Sequence, residues 1–160
     1  MNTEKVFPGR WDKNYCGGSP NHDSFPKNPQ FKITTFYKTH LRFMLEAPIK
    51  FGVNIQLYLC INDEGNDDGL SSYDNQNVDL EQDVVDDEDL QGGKILTKKH
   101  YSRDLLIGDS GAYRKGVCMV DVLNVEAGTY IAIISTFQPK QMGGFKFTIK
   151  SVENLSLRVV

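Results

Sequence analysis

The sequence predicts an all-β fold: an antiparallel, eight-stranded β-sandwich of the C2-like kind, forming a single domain over residues 1–160. Three observations lead there. Apolar side chains recur at every second position in several separate runs, the signature of strands with one face in a core. Turn-forming pairs punctuate those runs: Ala47-Pro48, Glu126-Ala127-Gly128, Gln138-Pro139 and Gly143-Gly144. No stretch carries a helical stripe of adequate length. Seven or eight short strands joined this way bury most economically as two stacked sheets.

Residues 30–38 form the first and weakest strand, with Phe31, Ile33 and Tyr37 on one side. Leu41, Phe43 and Leu45 mark the second. The clearest signal is 53–61, where Val53, Ile55, Leu57, Leu59 and Ile61 alternate with polar or amphipathic residues. Residues 103–107 supply a short fourth strand and 117–122 a fifth. The sixth, 128–137, is apolar on both faces, as a central strand must be. Phe145, Phe147 and Ile149 alternate with Lys146, Thr148 and Lys150 in the seventh, and Leu155, Leu157 and Val159 define the eighth.

The chain is 39% apolar, 24% charged and 11% aromatic, the balance of one globular domain. Its net charge of -3 gives no global attraction to nucleic acid, and it has neither a helical reader nor an aromatic-basic stacking motif. No apolar run approaches the roughly 20 residues that span a bilayer, and residues 1–8 lack the apolar core of a secretory signal. An odd number of cysteines, Cys16, Cys60 and Cys118, fits a reducing compartment better than a disulfide framework. The expected location is therefore intracellular, and the sequon at Asn154-Leu155-Ser156 is expected to be chance within a strand.

The small net charge hides a strong segregation. Twelve acidic residues and no Lys or Arg fall between Asp63 and Asp89, so this stretch carries -12 and the remainder +9. Rich in Gly, Asn, Ser and Gln, it has too little apolar surface to order itself by burial. Residues 63–93 are accordingly expected to form one long mobile acidic loop within the domain.

Candidate chemistry is sparse. A thiol enzyme needs a cysteine, a histidine base and an orienting Asn or Asp. His22, His40 and His100 are present, yet Cys60 and Cys118 read as strand residues and Cys16 as part of a Gly-rich loop, so no catalytic residue is assigned. Gly108-Asp109-Ser110-Gly111 matches a serine-protease tetrapeptide, but a polar turn closed by glycine explains it better. No Cys-x-x-Cys or His-x-x-x-His pair supports zinc. Glu64 to Gly69 approximates the start of an EF-hand loop, whose twelfth position is Asn75 instead of a bidentate Glu. No cofactor is assigned. Weak calcium binding by the acidic loop is the one metal expectation, with Asp67, Asp68, Asp86, Asp87, Glu88 and Asp89 as candidates. A basic cluster of Lys94, Lys98, Lys99, His100 and Arg103, with Arg114 and Lys115 nearby in sequence, reads as a solvated face or as the counter-charge to that loop.

The two ends of the chain add a resemblance. Gly9-Arg10-Trp11, Gly17-Gly18-Ser19-Pro20-Asn21 and Phe25-Pro26-Lys27-Asn28-Pro29-Gln30-Phe31 resemble the opening of the calpain C2-like (domain III) β-sandwich. Gly128-Thr129-Tyr130, Ser135-Thr136-Phe137 and Phe145 resemble its last strands. The Asn-x-Arg element of that family is absent around Tyr113-Arg114-Lys115, and Ile134 stands where a proline is usual. No EF-hand region follows. These departures are similar to the atypical PalB-type calpains, the calpain-seven group, and point to their distal C2-like domain, with the native start upstream of Met1.

The resemblance implies a parent that is an intracellular cysteine protease whose catalytic Cys, His and Asn lie outside this chain. It implies that the chain itself is a non-catalytic regulatory module. Implied partners are neighbouring domains, ESCRT-related proteins and phospholipid; implied locations are cytoplasmic, endosome-associated or nuclear. Docking through the charge-segregated loop is the expected mechanism, and a calcium-dependent phospholipid-binding C2 domain is the alternative, with Asp104, Asp109 and Asp121 as its sparse second-loop acids. Trp11 is expected to be a buried anchor, Gly17-Gly18 to permit backbone geometry closed to other residues, and Asn28-Pro29 to set an extended entry into the first strand.

Overall fold

The computed structural model describes residues 3–60, 101–152 and, by backbone pairing, 155–159. Ten strands are present there: β1 (Thr3–Trp11), β2 (Gln30–Thr35), β3 (Thr39–Glu46), β4 (Gly52–Leu59), β5 (Leu106–Asp109), β6 (Arg114–Lys115), β7 (Val117–Val125), β8 (Gly128–Thr136), β9 (Gly143–Ser151) and β10 (Leu155–Val159). All pairings are antiparallel. One sheet runs β1-β9-β3-β7; the other runs β10-β2-β8-β4-β5, with β6 added beside β4. Among the described residues the only helical turn is a short 3-10 segment, Arg103–Leu105.

The sandwich and all eight expected strands are present, and two more join them. β1 was hidden because its apolar positions are interrupted by Pro8, Gly9 and charged residues, leaving no clean alternation. β6 is two residues long and below any periodic signal. The expected strand at 103–107 splits into the 3-10 turn and β5, and Tyr37 does not continue β2. It lies exposed in the turn between β2 and β3, beside Phe36 and Lys38. The acidic stretch expected as a mobile loop lies outside the described residues.

Alternation decides what each strand buries. Trp11, Phe31, Ile33, Leu41, Phe43, Leu45, Val53, Ile55, Leu57, Val122, Tyr130, Ala132, Ile134, Phe145, Phe147 and Ile149 come from both sheets and form one core between them. β8 is central in its sheet, and its other face, Ile131 and Ile133, packs with Phe25 and Tyr58 in a second cluster on the outside. Tyr58 reads as an amphipathic outward position in sequence. It is buried because the 12–29 connection lays Phe25 across that face and Tyr101 closes over both rings.

The 12–29 connection is held by the residues that carry the family resemblance. A side chain at Gly17 would place a Cβ 1.8 Å from the Ser24 carbonyl oxygen, and Gly18 has φ +82°. Asn28, fully buried, donates through Nδ2 to the carbonyls of Gly18 (2.9 Å) and Phe25 (2.8 Å), satisfying backbone acceptors that the turn would otherwise leave unpaired. Trp11 is 0% exposed. Its ring meets Phe145 at 4.8 Å and Phe51 at 6.2 Å between centroids, and its Nε1–H donates to the Ile134 carbonyl of the opposite sheet at 3.3 Å.

Replacing Trp11 with alanine removes a fully buried ring and orphans the Ile134 carbonyl. The expected loss is about 3–5 kcal/mol of unfolding free energy. Urea titration followed by far-ultraviolet circular dichroism checks it, with Trp11→Phe expected to lose less; a loss below about 1 kcal/mol for the alanine variant would contradict the role given to this ring.

Candidate functional site

The residues singled out for chemistry are dispersed. Cys118 lies on the inner face of β7, and burial pushes its thiol up to about 11, so at pH 7 only about one molecule in ten thousand carries the thiolate there. Cys16 sits half-buried in the 12–29 connection, packed on the main core, and Cys60 follows β4 at the edge of the outer cluster. His22 lies in a turn and donates its backbone N–H to the Ser19 carbonyl, while His40 lies on β3 with its ring 3.6 Å from the Asp121 carboxylate. His100 is outside the described residues, as are Asp67, Asp68, Asp86, Asp87, Glu88 and Asp89. Among the described residues there is no group of three or more His, Cys, Asp or Glu side chains close enough to hold a metal.

The tetrapeptide around Ser110 is a turn bolted to β4. Ser110 exchanges bonds with Ile55: its N–H donates to the Ile55 carbonyl and its Oγ accepts from the Ile55 N–H, both at 2.9 Å. Asp109 accepts from Asn54 Nδ2 (3.0 Å), Gln56 Nε2 (3.2 Å) and the Gly111 N–H (2.8 Å). Tyr58 donates to Gln56 Oε1, and Tyr113 lies 2.7 Å from buried Ser135. Desolvation raises both phenols well above their ordinary range, so they act as hydrogen-bonding groups and stay uncharged. This network fastens β5 and the β5–β6 turn to the outer face of the six-stranded sheet.

The acids considered for a second calcium loop are likewise engaged. Asp109 serves the turn just described. Asp121 lies within β7, not in a loop, and takes a two-pronged contact from Arg42 at 2.7 and 3.3 Å. The guanidinium holds that carboxyl below the usual carboxylate range. Asp104 is exposed on the 3-10 turn. Beside the Arg42–Asp121 pair, the outer face of the four-stranded sheet has a shallow cavity of about 150 Å³ lined by Arg42, Met44, Met119, Thr148 and Lys150.

The feature with unspent interaction capacity is one end of the sandwich. The 47–51, 110–116 and 137–142 connections converge there: Ala47 N–H donates to Gly116 O (2.8 Å), Gly116 N–H to Phe51 O (3.0 Å), and Phe137 N–H to Gly52 O (2.9 Å). The 12–29 connection joins them through Lys140 N–H to Cys16 O at 2.8 Å. Lys13, Lys50, Arg114, Lys115 and Lys140 are exposed on this end, and none of them has an ion-pair partner among the described residues. Ile49 is 76% exposed and Met142 50% exposed among those cations. Nearby acids are occupied: Asp12 accepts from the backbone of Asn14 and Tyr15, and Glu46 pairs with Lys146 at 3.3 Å.

Sequence reasoning grouped Arg103 with Arg114 and Lys115. The fold separates them, because Arg103 precedes β5 near the C-terminal end of β4, whereas Arg114 and Lys115 pair with Val53 and Gly52 at its start. Lys94, Lys98 and Lys99 lie outside the described residues. Lys13, Lys50 and Lys140 were missed as partners of Arg114 and Lys115, since only chain reversal between strands brings four distant connections to one end. An exposed Ile beside a Lys in a Pro-initiated turn was the one local hint.

A two-sheet antiparallel sandwich with these glycines, this tryptophan and this buried asparagine defines a class. The model of the family described as "Calpain large subunit, domain III" matches residues 7–149, and the chain belongs to that family, as a module of the PalB type. It is 26% identical over 149 residues to the "Calpain-like protease palB/RIM13" of Aspergillus oryzae, covering 92% of this chain and 14% of that protein. It is 24% identical over 144 residues to the "Calpain-like protease palB" of Emericella nidulans, covering 89% and 13%. The chain thus spans about a seventh of the length of these relatives. Among solved structures, the Clostridium perfringens CspB protease overlays 89% of this chain and 24% of that one at a TM-score of 0.39 and 9% identity, too loose a likeness to carry an argument.

The buried thiol has a pH signature. Above its ordinary value of 9.0 the unfolded Cys118 ionises while the folded one stays protonated up to about 11, so unfolding releases a proton and stability falls with rising pH in that window. Its maximal slope is about 1.4 kcal/mol per pH unit, with Tyr58 and Tyr113 adding their own loss above pH 10. Urea midpoints measured between pH 8 and 10 are expected to fall less steeply for Cys118→Ala than for the parent sequence; equal slopes would refute the assignment.

Proposed function

We propose that this chain is a non-catalytic, interaction-bearing C2-like module, the distal one, of a calpain-like cysteine endopeptidase whose catalytic residues lie on other domains. The module docks through segregated charge, which positions the protease core relative to its neighbours. The observation that carries this reading is the separation of -12 within residues 63–89 from +9 on the rest of the chain, with exposed cations that have no ion-pair partner among the described residues gathered at one end of the sandwich. Family membership and the names of the relatives support the protease parent. The structural duties of Asp109, Ser110 and Cys118 support a module without chemistry of its own.

Under this reading the partners are neighbouring domains of the parent, in the setting of the endosomal sorting machinery that the resemblance implies. Contacts of this kind act over roughly 8 Å at physiological salt, so the acidic stretch and its partner surface meet directly. Calcium weakens the contact by occupying carboxylates.

Substituting Asp86→Asn, Asp87→Asn, Glu88→Gln and Asp89→Asn together in the full-length parent is expected to change its activation, and the difference from the unmodified protein is expected to shrink as salt rises. Proteolysis rates measured across a salt series test this. Identical rates at every ionic strength would overturn docking by charge.

A further inference from the structure

Two open sheets have edge strands, and each edge offers backbone donors and acceptors to any strand that can align with them. The edges of this sandwich are not alike. β1 is blunted by Pro8, which has no N–H, and by exposed Glu4, Lys5 and Arg10. β5, β6 and β10 are only four, two and five residues long. β7 has nine residues, none of them Pro, Gly, Lys or Arg, and among the described residues its backbone bonds only to β3. It is the long edge without a guard.

Its outward side chains invite cover. Val117 is 47%, Met119 51% and Leu123 62% exposed. The one charge among them, Asp121, lies directly opposite Arg42 on β3 and takes its two-pronged contact, so it is compensated within the sheet. Two backbone features bound the regular stretch. Gly116, with φ +82°, precedes β7, and Asn124, with φ 56°, lies in the bulge where the register with β3 shifts. Residues 117–123 remain between them, and their midpoint is Val120.

We propose that β7 is a strand-addition edge for a second copy of this chain, the two β7 strands pairing antiparallel about a two-fold axis at Val120. A free antiparallel edge is complementary to itself, because half a turn about the sheet normal brings its donors onto its own acceptors. Centred on Val120, Val117 faces Leu123 of the partner, Met119 faces the partner's Asp121, and Cys118 faces the partner's Val122. Outward side chains thus meet outward ones and inward meet inward. Moving the centre to Met119 or Asp121 shortens the regular ladder to five residues, and at Asp121 it also sets two carboxylates directly opposite. Backbone and apolar groups make this contact, so it stands apart from docking through segregated charge.

Sedimentation equilibrium of the full chain over a range of concentrations tests it, with a monomer–dimer equilibrium expected. Met119→Lys with Leu123→Lys, shown folded by circular dichroism, is expected to weaken dimerisation about tenfold or more, because lysines on an edge strand resist pairing. Val6→Lys on β1 is expected to leave it unchanged. The dimer is expected to persist at about 0.5 M salt, which screens surface charge. Under mild oxidation Val120→Cys is expected to link two copies, since a directly opposed pair has Cα atoms about 4.5–5.5 Å apart, and Met119→Cys is expected to link them far less. A monomer at every concentration would overturn the proposal. So would a dimer that the double lysine variant leaves intact, that Val6→Lys weakens equally, or that links more readily through Met119→Cys. Dissolution by salt would assign the association to charge and overturn it too. Protection of the β7 amides from hydrogen exchange in the full-length parent, but never in this chain alone, would give the edge to a segment of a neighbouring domain instead of a second copy.

Discussion

The sandwich depends on one side chain that belongs to both of its sheets. Trp11 ends β1 in the four-stranded sheet, yet its indole N–H is bonded to the carbonyl of Ile134 in the other, and its ring packs on Phe51 and Phe145. Hydrophobic contact alone lets two sheets slide, because apolar area has no direction. A buried donor with a single acceptor in reach does not, since leaving it unpaired costs about 1–3 kcal/mol. The bond thereby fixes sheet separation and offset near the end where the four connections meet.

That registration explains how a surface forms from residues far apart in sequence. Antiparallel order returns the chain to the same end after every second strand, so Lys13, Lys50, Lys115 and Lys140 arrive together although no local pattern links them. The acidic stretch leaves from the opposite end, after β4. A chain with a net charge of only -3 therefore carries strongly segregated charge along its sequence. Electrostatic association in such a molecule is governed by where charges sit, not by their sum.

The polar groups that resemble a catalytic site turn out to serve construction. Asp109, Ser110, Asn54 and Gln56 bond to one another and to the backbone of a tight turn at the edge of the six-stranded sheet. Without them β5 would have only four residues of ladder to hold it. Likewise, Asn28 replaces the backbone donors that the 12–29 connection lacks, and Gly17 makes room for the Ser24 carbonyl. The residues that carry the resemblance to domain III thus serve construction of the sandwich.

By itself, the sequence determined the all-β class, the eight periodic strands, the buried Trp11 and the charge segregation, because alternation and composition are local properties. It could not show β1, whose Pro8 and Gly9 break the period, nor the burial of Tyr58, which follows only from Phe25 and Tyr101 crossing that face. It also joined Arg103 to Arg114 and Lys115, a neighbourhood that exists along the chain and not in space. Tertiary structure alone decided which cations share an end and which carboxylates are already taken, since both depend on how strands pair across the sandwich and on nothing that a single segment encodes.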